Sequence, residues 1–332
     1  MSRSFALATL LALAPTAPAQ VKKILNDFPF GVECVAFSPD GKTLATGTLS
    51  RGGGKDALRL WDIATGKELC CLRTDKFGCS ALAFSPDGRT LVSNGGLDST
   101  IDVWDLATRK VRMVIKTGLG VGRCLAVSPD GKLLAAGSFS RPTMLFDMET
   151  GKERATLEGT LKVTCVVFSP DGKTLATSAF GGAVALWDVP SGKLRGALAR
   201  HKRTVYNASF APDGRTLYSL GEDQLLVHWD VATGKERRSV DLRKQAGYST
   251  RYSALSPDGK TLAVLGGGRL RLLDLEEGAF RPDVDWQHQV GGQRCIAFSP
   301  DGKLIATGSG GNVRNCSVYL WDVPPPKKKS RD

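Results

Sequence analysis

Hydrophobic residues along this chain fall in short runs with strand-like spacing, and each run is closed by a tight polar turn. Residues 201–235 show the unit most fully. Residues 205–210 carry β-branched and aromatic residues at strand-like spacing and predict a strand. Ala211-Pro212-Asp213-Gly214 predicts the turn after it, because proline presets φ at the first corner and glycine accepts the left-handed conformation. Residues 216–220 and 225–230 predict two more strands. Ala232-Thr233-Gly234 turns the chain into a fourth, which starts near Glu236. Four antiparallel strands make one small sheet, and nothing inside the unit covers its two faces.

Repetition supplies the missing cover. The turn recurs at Pro39, Pro86, Pro129, Pro170, Pro212, Pro257 and Pro300, each followed by Asp-Gly, with successive prolines 41 to 47 residues apart. The third strand ends at Trp61-Asp62, Trp104-Asp105, Phe146-Asp147, Trp187-Asp188, Trp229-Asp230, Leu273-Asp274 and Trp321-Asp322. Self-similarity at this period, with strands and no helices, implies sheets arranged radially about an axis. Over residues 21–323 the chain resembles the WD40 family, in a bacterial-type, exported form. The resemblance implies an all-β, seven-bladed propeller of four-stranded antiparallel blades. Prolines at 324–326 exclude a closing strand there. Residues 21–27, which have no repeat of their own, are therefore expected to pair near 318–321 and complete the last blade.

In order, the blades are expected at 32–73, 79–115, 122–157, 163–198, 205–241, 249–286 and 293–322. Enlarged loops between the second and third strands are expected at 49–56 and 309–316. The sixth blade is the most degenerate, with Leu273 in the tryptophan place and Glu277-Gly278-Ala279 in the turn.

Both ends change the picture. Arg3, an apolar run over 5–14, and Ala17-Pro18-Ala19 read as a secretory signal peptide cleaved after Ala19. Residues 20–323 then form the propeller and 324–332 a disordered, proline- and lysine-rich tail. Export places the protein in the periplasm or outside the cell. No apolar run is long enough for a transmembrane helix.

Candidate chemistry is sparse. The WD40 resemblance implies a buried His, Ser/Thr, Trp, Asp network within a blade, and one blade carries all four members: His201, Ser219, Asp223 and Trp229. Cys34, Cys124, Cys165 and Cys295 share one register and read as small buried fillers. The pairing of Cys70, Cys71, Cys79 and Cys316 is left open. Three histidines and no Cys-x-x-Cys give no support for a metal site. The glycine-rich stretches at 52–55 and 118–122 precede strands rather than helices and do not read as phosphate loops. No catalytic residue, metal or cofactor is assigned.

The formal charge of +12 acquires meaning when it is placed. The Pro-Asp-Gly turns are each followed by Lys or Arg, which leaves their side of the disc roughly balanced. The opposite loops are rich in arginine, whose planar fork suits carboxylates and phosphates. Arg123, Lys202, Arg203, Tyr206, Arg243, Arg251 and Arg294 are the expected partner-binding residues. The leading reading is a non-enzymatic scaffold that presents this basic face to an acidic protein or peptide. An anionic envelope polymer is a second partner class, and nucleic acid is disfavoured. The alternatives are an exported lactonase- or hydrolase-type propeller enzyme acting at the central channel, and an envelope structural or assembly protein.

Overall fold

The computed structural model describes residues 21–28, 30–48, 58–72, 78–94, 99–118, 122–243, 250–287, 292–310 and 316–325. Seven four-stranded antiparallel sheets are present, and in six of them the strands follow chain order from a to d. The seventh joins Gly292–Phe298, Leu304–Gly310 and Cys316–Asp322 to Val21–Phe28 at its outer edge. In that closure Val21 lies opposite Trp321, Leu25 opposite Val318 and Phe28 opposite Cys316. The ring closes as the pattern at the two ends requires, with Val21–Phe28 as the fourth, outermost strand of the last blade.

The turns show why the unit repeats. In the first, Ser38 Oγ donates to Asp40 Oδ1 at 2.6 Å, and Asp40 accepts from the Lys42 amide at 3.0 Å. Thr43 N donates back to Ser38 Oγ at 2.9 Å. The serine hydroxyl holds the Asp40 carboxyl below the usual carboxylate range, as its counterparts do for Asp87, Asp130, Asp171 and Asp301. Gly41 sits at φ 70°, which a side chain would strain.

Apolar burial lies between blades. Each of seven core clusters joins neighbouring blades; one packs Val184, Leu186 and Leu198 against Val205, Ala208, Leu217 and Trp229. Phe146 and Leu273 fill tryptophan places and are buried at 2% and 0% exposure. Where tryptophan is kept, its indole N–H finds a hydroxyl on the neighbouring strand. Trp61 reaches Thr46, Trp187 reaches Thr177 and Trp321 reaches Thr307, each at 3.0 Å, and Trp104 reaches Ser93 at 2.9 Å.

Blade two departs from its expected start: its first strand covers only Leu82–Phe84. Asn94 Oδ1 takes the amide donors of Ser80 and Ala81, both at 2.9 Å, and these side-chain bonds stand beside the backbone bond from Asn94 N to Ala81 O at 3.1 Å. At the far end Pro324 and Pro325 are not strand, yet Arg281 donates to the Pro324 carbonyl at 3.1 Å. The expected large loop at 49–56, most of that at 309–316, and the tail beyond Pro325 lie outside the described residues.

Two outcomes follow from this packing. Phe28 is 1% exposed and Ile24, on the same closing strand, is 46% exposed. Phe28→Ala is expected to lower unfolding stability by about 3–4 kcal/mol in chemical denaturation, and Ile24→Ala by under about 0.5 kcal/mol. His228 is buried edge-on to Tyr218 at 4.8 Å, with its Nε2 unpartnered, and burial drops its pKa to about 4. The folded state thus resists a proton that the unfolded chain accepts near pH 6.5. Stability should be fully present above that pH and decline by roughly 2–3 kcal/mol toward pH 4. A His228→Leu variant should show a flatter melting profile across that window.

Candidate binding face

The d–a and b–c loops form one face of the disc, and the first strands of the blades line its central channel. At the channel rim, polar side chains reach from one blade to the next. Ser80 Oγ donates to the Gly122 carbonyl at 3.1 Å, and Asn94 Nδ2 reaches the same oxygen at 2.7 Å. Thr164 Oγ1 donates to Val205 O at 2.5 Å, and Asn207 Nδ2 donates to Ser253 O. Arg294 Nη1 bonds Glu33 Oε1 at 2.6 Å, tying the last blade to the first. These positions act as ring fasteners, and the side-chain amides of Asn94 and Asn207 were not among the residues singled out from the sequence.

The expected partner-binding residues therefore divide. Arg294 is engaged by Glu33, and Arg243 by Asp241 through Nη2 at 2.5 Å, so neither presents an unpaired charge. Neighbouring Arg200 is likewise held by Glu236 at 3.0 Å. Arg251 lies over the Tyr206 ring at 5.9 Å, so those two residues form a stacked pair across blades five and six. Lys202 and Arg203 are exposed. Among the described residues no carboxylate pairs with the side chains of Arg123, Lys162, Lys202, Arg203 or Arg251.

Arg123 stands at the start of blade three, with its guanidinium 5.5 Å from the Phe139 ring and 5.9 Å from the Phe180 ring. Lys162 Nζ lies 5.9 Å from Phe139 on the same patch. Phe139 and Phe180 meet edge-to-face at 5.5 Å and 83°. Phe139 is 40% exposed and Leu161 beside it 54%. The backbone makes this a fixed platform. Lys162 N donates to Phe139 O at 3.0 Å, and Phe180 N donates to Lys162 O at 3.1 Å, so three loops from two blades are stitched in a row. Lys162 adopts φ 54°, an unfavourable conformation for a side chain that these two bonds hold in place. Below it, buried Thr160 accepts from Thr143 N and donates to Leu157 O, both at 2.7 Å.

Phe139, Leu161 and Phe180 are the residues that reading the sequence missed. A signal was available: both phenylalanines follow the last residue of the second strand in consecutive blades. Equivalent places elsewhere hold Leu49, Gly95, Glu222 and Gly267.

The network of blade five is built on the opposite principle, inward and satisfied. His201 Nδ1 lies 3.0 Å from Asp223 Oδ1, His201 Nε2 lies 2.7 Å from Ser219 Oγ, and Trp229 Nε1 donates to that hydroxyl at 2.8 Å. The His201 side chain is fully buried, which suits a brace rather than a reacting group.

The WD domain, G-beta repeat family matches residues 21–62, 66–105, 117–141, 151–188, 192–230 and 286–322. The longest interval left unmatched between these segments takes in nearly all of the degenerate sixth blade. Among curated proteins none matches. One solved structure, the Cps50 (Swd1) beta-propeller domain of Myceliophteria thermophila, is similar with a TM-score of 0.78 and 18% identity, covering 92% of this chain and 100% of that one. This likeness concerns the fold. It also corrects one expectation: the similar propeller is that of a eukaryotic protein, not of a secreted or periplasmic bacterial one. The exported, bacterial-type placement is withdrawn, and the envelope polymer goes with it. That reading rested on Arg3, the apolar run over 5–14 and Ala17-Pro18-Ala19, and residues 1–19 lie outside the described residues. With the repeat matched over most of its length and seven sheets closed into a ring, the chain belongs to the WD40-repeat family of β-propellers.

Proposed function

We propose that this protein is a non-enzymatic binding scaffold whose d–a and b–c loop face docks an acidic segment of a partner protein. The observation that carries the reading is the platform of Phe139, Leu161 and Phe180 flanked by Arg123 and Lys162. Exposed aromatic surface beside unpaired arginine is the composition of an interface centre rather than of a solvated rim. The platform is also rigid, so docking costs little ordering of the scaffold. A segment that fits places an apolar side chain against the two rings and carboxylates against the guanidinium and ammonium groups. Arg141, exposed on the same b–c loop as Phe139, adds a third cation. Fold alone does not assign this role, since propellers host many activities.

The test uses fluorescein-labelled peptides in which Asp and Glu flank a Leu or Phe, with binding followed by anisotropy. The native protein should bind them, and binding should weaken as salt is raised. Arg123→Glu and the double variant Phe139→Ala/Phe180→Ala should each weaken it by about tenfold or more, near 1.4 kcal/mol. Melting temperatures report whether the variants remain folded. Equal affinity of folded variants and native protein would contradict the reading.

A further inference from the structure

Strand a of each blade presents its cysteine register toward the next blade around the ring. For Cys165 the facing atoms are Asn207 Oδ1 at 3.6 Å and Ala208 O at 3.7 Å. For Cys295 the facing atom is Val32 O at 3.5 Å. Blade one differs, because there the neighbour is another thiol. Cys34 Sγ lies 3.8 Å from Cys79 Sγ and 3.6 Å from the Cys79 carbonyl.

The surroundings fix this approach. Cys79 N donates to Thr48 O at 2.8 Å, so the backbone of blade two is held against blade one beside the pair. Gly47 backs both sulfurs: a Cβ there would stand 2.9 Å from Cys79 Sγ and nearer still to Cys34 Sγ. A disulfide has an S–S length of about 2.05 Å, so the sulfurs have to close by under about 2 Å.

We propose that Cys34 and Cys79 are a site of oxidative cross-linking, forming a disulfide that staples blade one to blade two. Cys34 is half-buried on the wall of the groove at the channel mouth, lined also by Glu33, Tyr206 and Arg251, and Cys79 is fully buried. Cys34 is therefore the thiol that meets the oxidant and Cys79 the one that resolves it. With hydrogen peroxide, the Cys34 thiolate attacks one peroxide oxygen and the O–O bond breaks. The departing hydroxide takes up the proton given by the thiol and leaves as water, and Cys34 becomes a sulfenic acid. The Cys79 sulfur then attacks the Cys34 sulfur. The S–O bond breaks, and the hydroxyl leaves as a second water with the Cys79 proton. Two thiols and one peroxide thus give one disulfide and two waters. Burial raises the Cys34 thiol well above its ordinary range, so the reaction quickens as pH rises.

The cross-link falls at a particular seam. The first strand of blade two is Leu82–Phe84, and the residues leading into it are held by side-chain bonds. A bond between positions 45 residues apart restrains the unfolded chain as well as this seam.

The experiment treats the native protein with hydrogen peroxide and, separately, with oxidised glutathione, then alkylates free thiols and digests without reduction. Mass spectrometry should find the peptides of Cys34 and Cys79 joined as the main cross-link. Thiols titrated after denaturation should fall by two from the eight of the untreated protein. The melting temperature should rise by several degrees and return on treatment with dithiothreitol. A Cys79→Ser variant should show neither change, and the native-protein peptide map stands even if that variant folds poorly. Eight free thiols after oxidation would overturn the proposal. So would a main cross-link through Cys70, Cys71 or Cys316, or a Cys34 sulfenic acid trapped by dimedone while Cys79 remains open to alkylation.

Discussion

At every seam of this propeller the turn proline of one blade lies beside the turn glycine of the next. Pro39 lies against Gly88, Pro86 against Gly131, Pro129 against Gly172, Pro170 against Gly214, Pro212 against Gly259, Pro257 against Gly302 and Pro300 against Gly41. A Cβ at Gly88 would stand 3.5 Å from Pro39 Cδ, and all seven glycines lie near φ 70°. Proline sets the turn's first angle and lies at the seam between blades, while glycine takes the turn's left-handed last angle. One tetrapeptide therefore makes the hairpin within a blade and also meets the neighbouring blade. The apolar clusters fill the space between blades, and Phe146 and Leu273 are buried in them in tryptophan places.

This explains why the fold was legible. The motif that announces the repeat also sits at the seams between blades, and the segment at 21–27, which has no repeat of its own, pointed to its place beside the last blade. The site was less legible because its chemistry lies in loops that do not repeat. Counting arginines placed a basic face but not the acids that neutralise part of it. Glu33 and Asp241 belong to strands, yet they reach Arg294 and Arg243. Conversely, Phe139 and Phe180 became significant through their shared register and the Lys162 backbone between them. Neither is visible in composition.

The cysteines make the same point. Their common register indicated buried fillers, and Cys295 fits that description, while Cys34, Cys124 and Cys165 are half-buried. Register alone did not reveal that Cys79, which lies outside the repeat pattern because blade two starts late, would meet Cys34. Irregularity in one blade changed the neighbour of a regular residue in another. Loop-level departures of this kind give an otherwise repetitive ring a distinguishable front and distinguishable seams.

Hydrogen–deuterium exchange, with and without a bound acidic peptide of the Asp/Glu-flanked Leu type, tests the central claim most directly. It reports which backbone the ligand covers without any substitution. The account predicts slowed exchange concentrated in residues 138–142, 160–163 and 179–183, where the stitched loops carry Phe139, Lys162 and Phe180. Protection centred instead on the Pro-Asp-Gly turns of the opposite face, or spread evenly over the ring while the peptide remains bound, would contradict it.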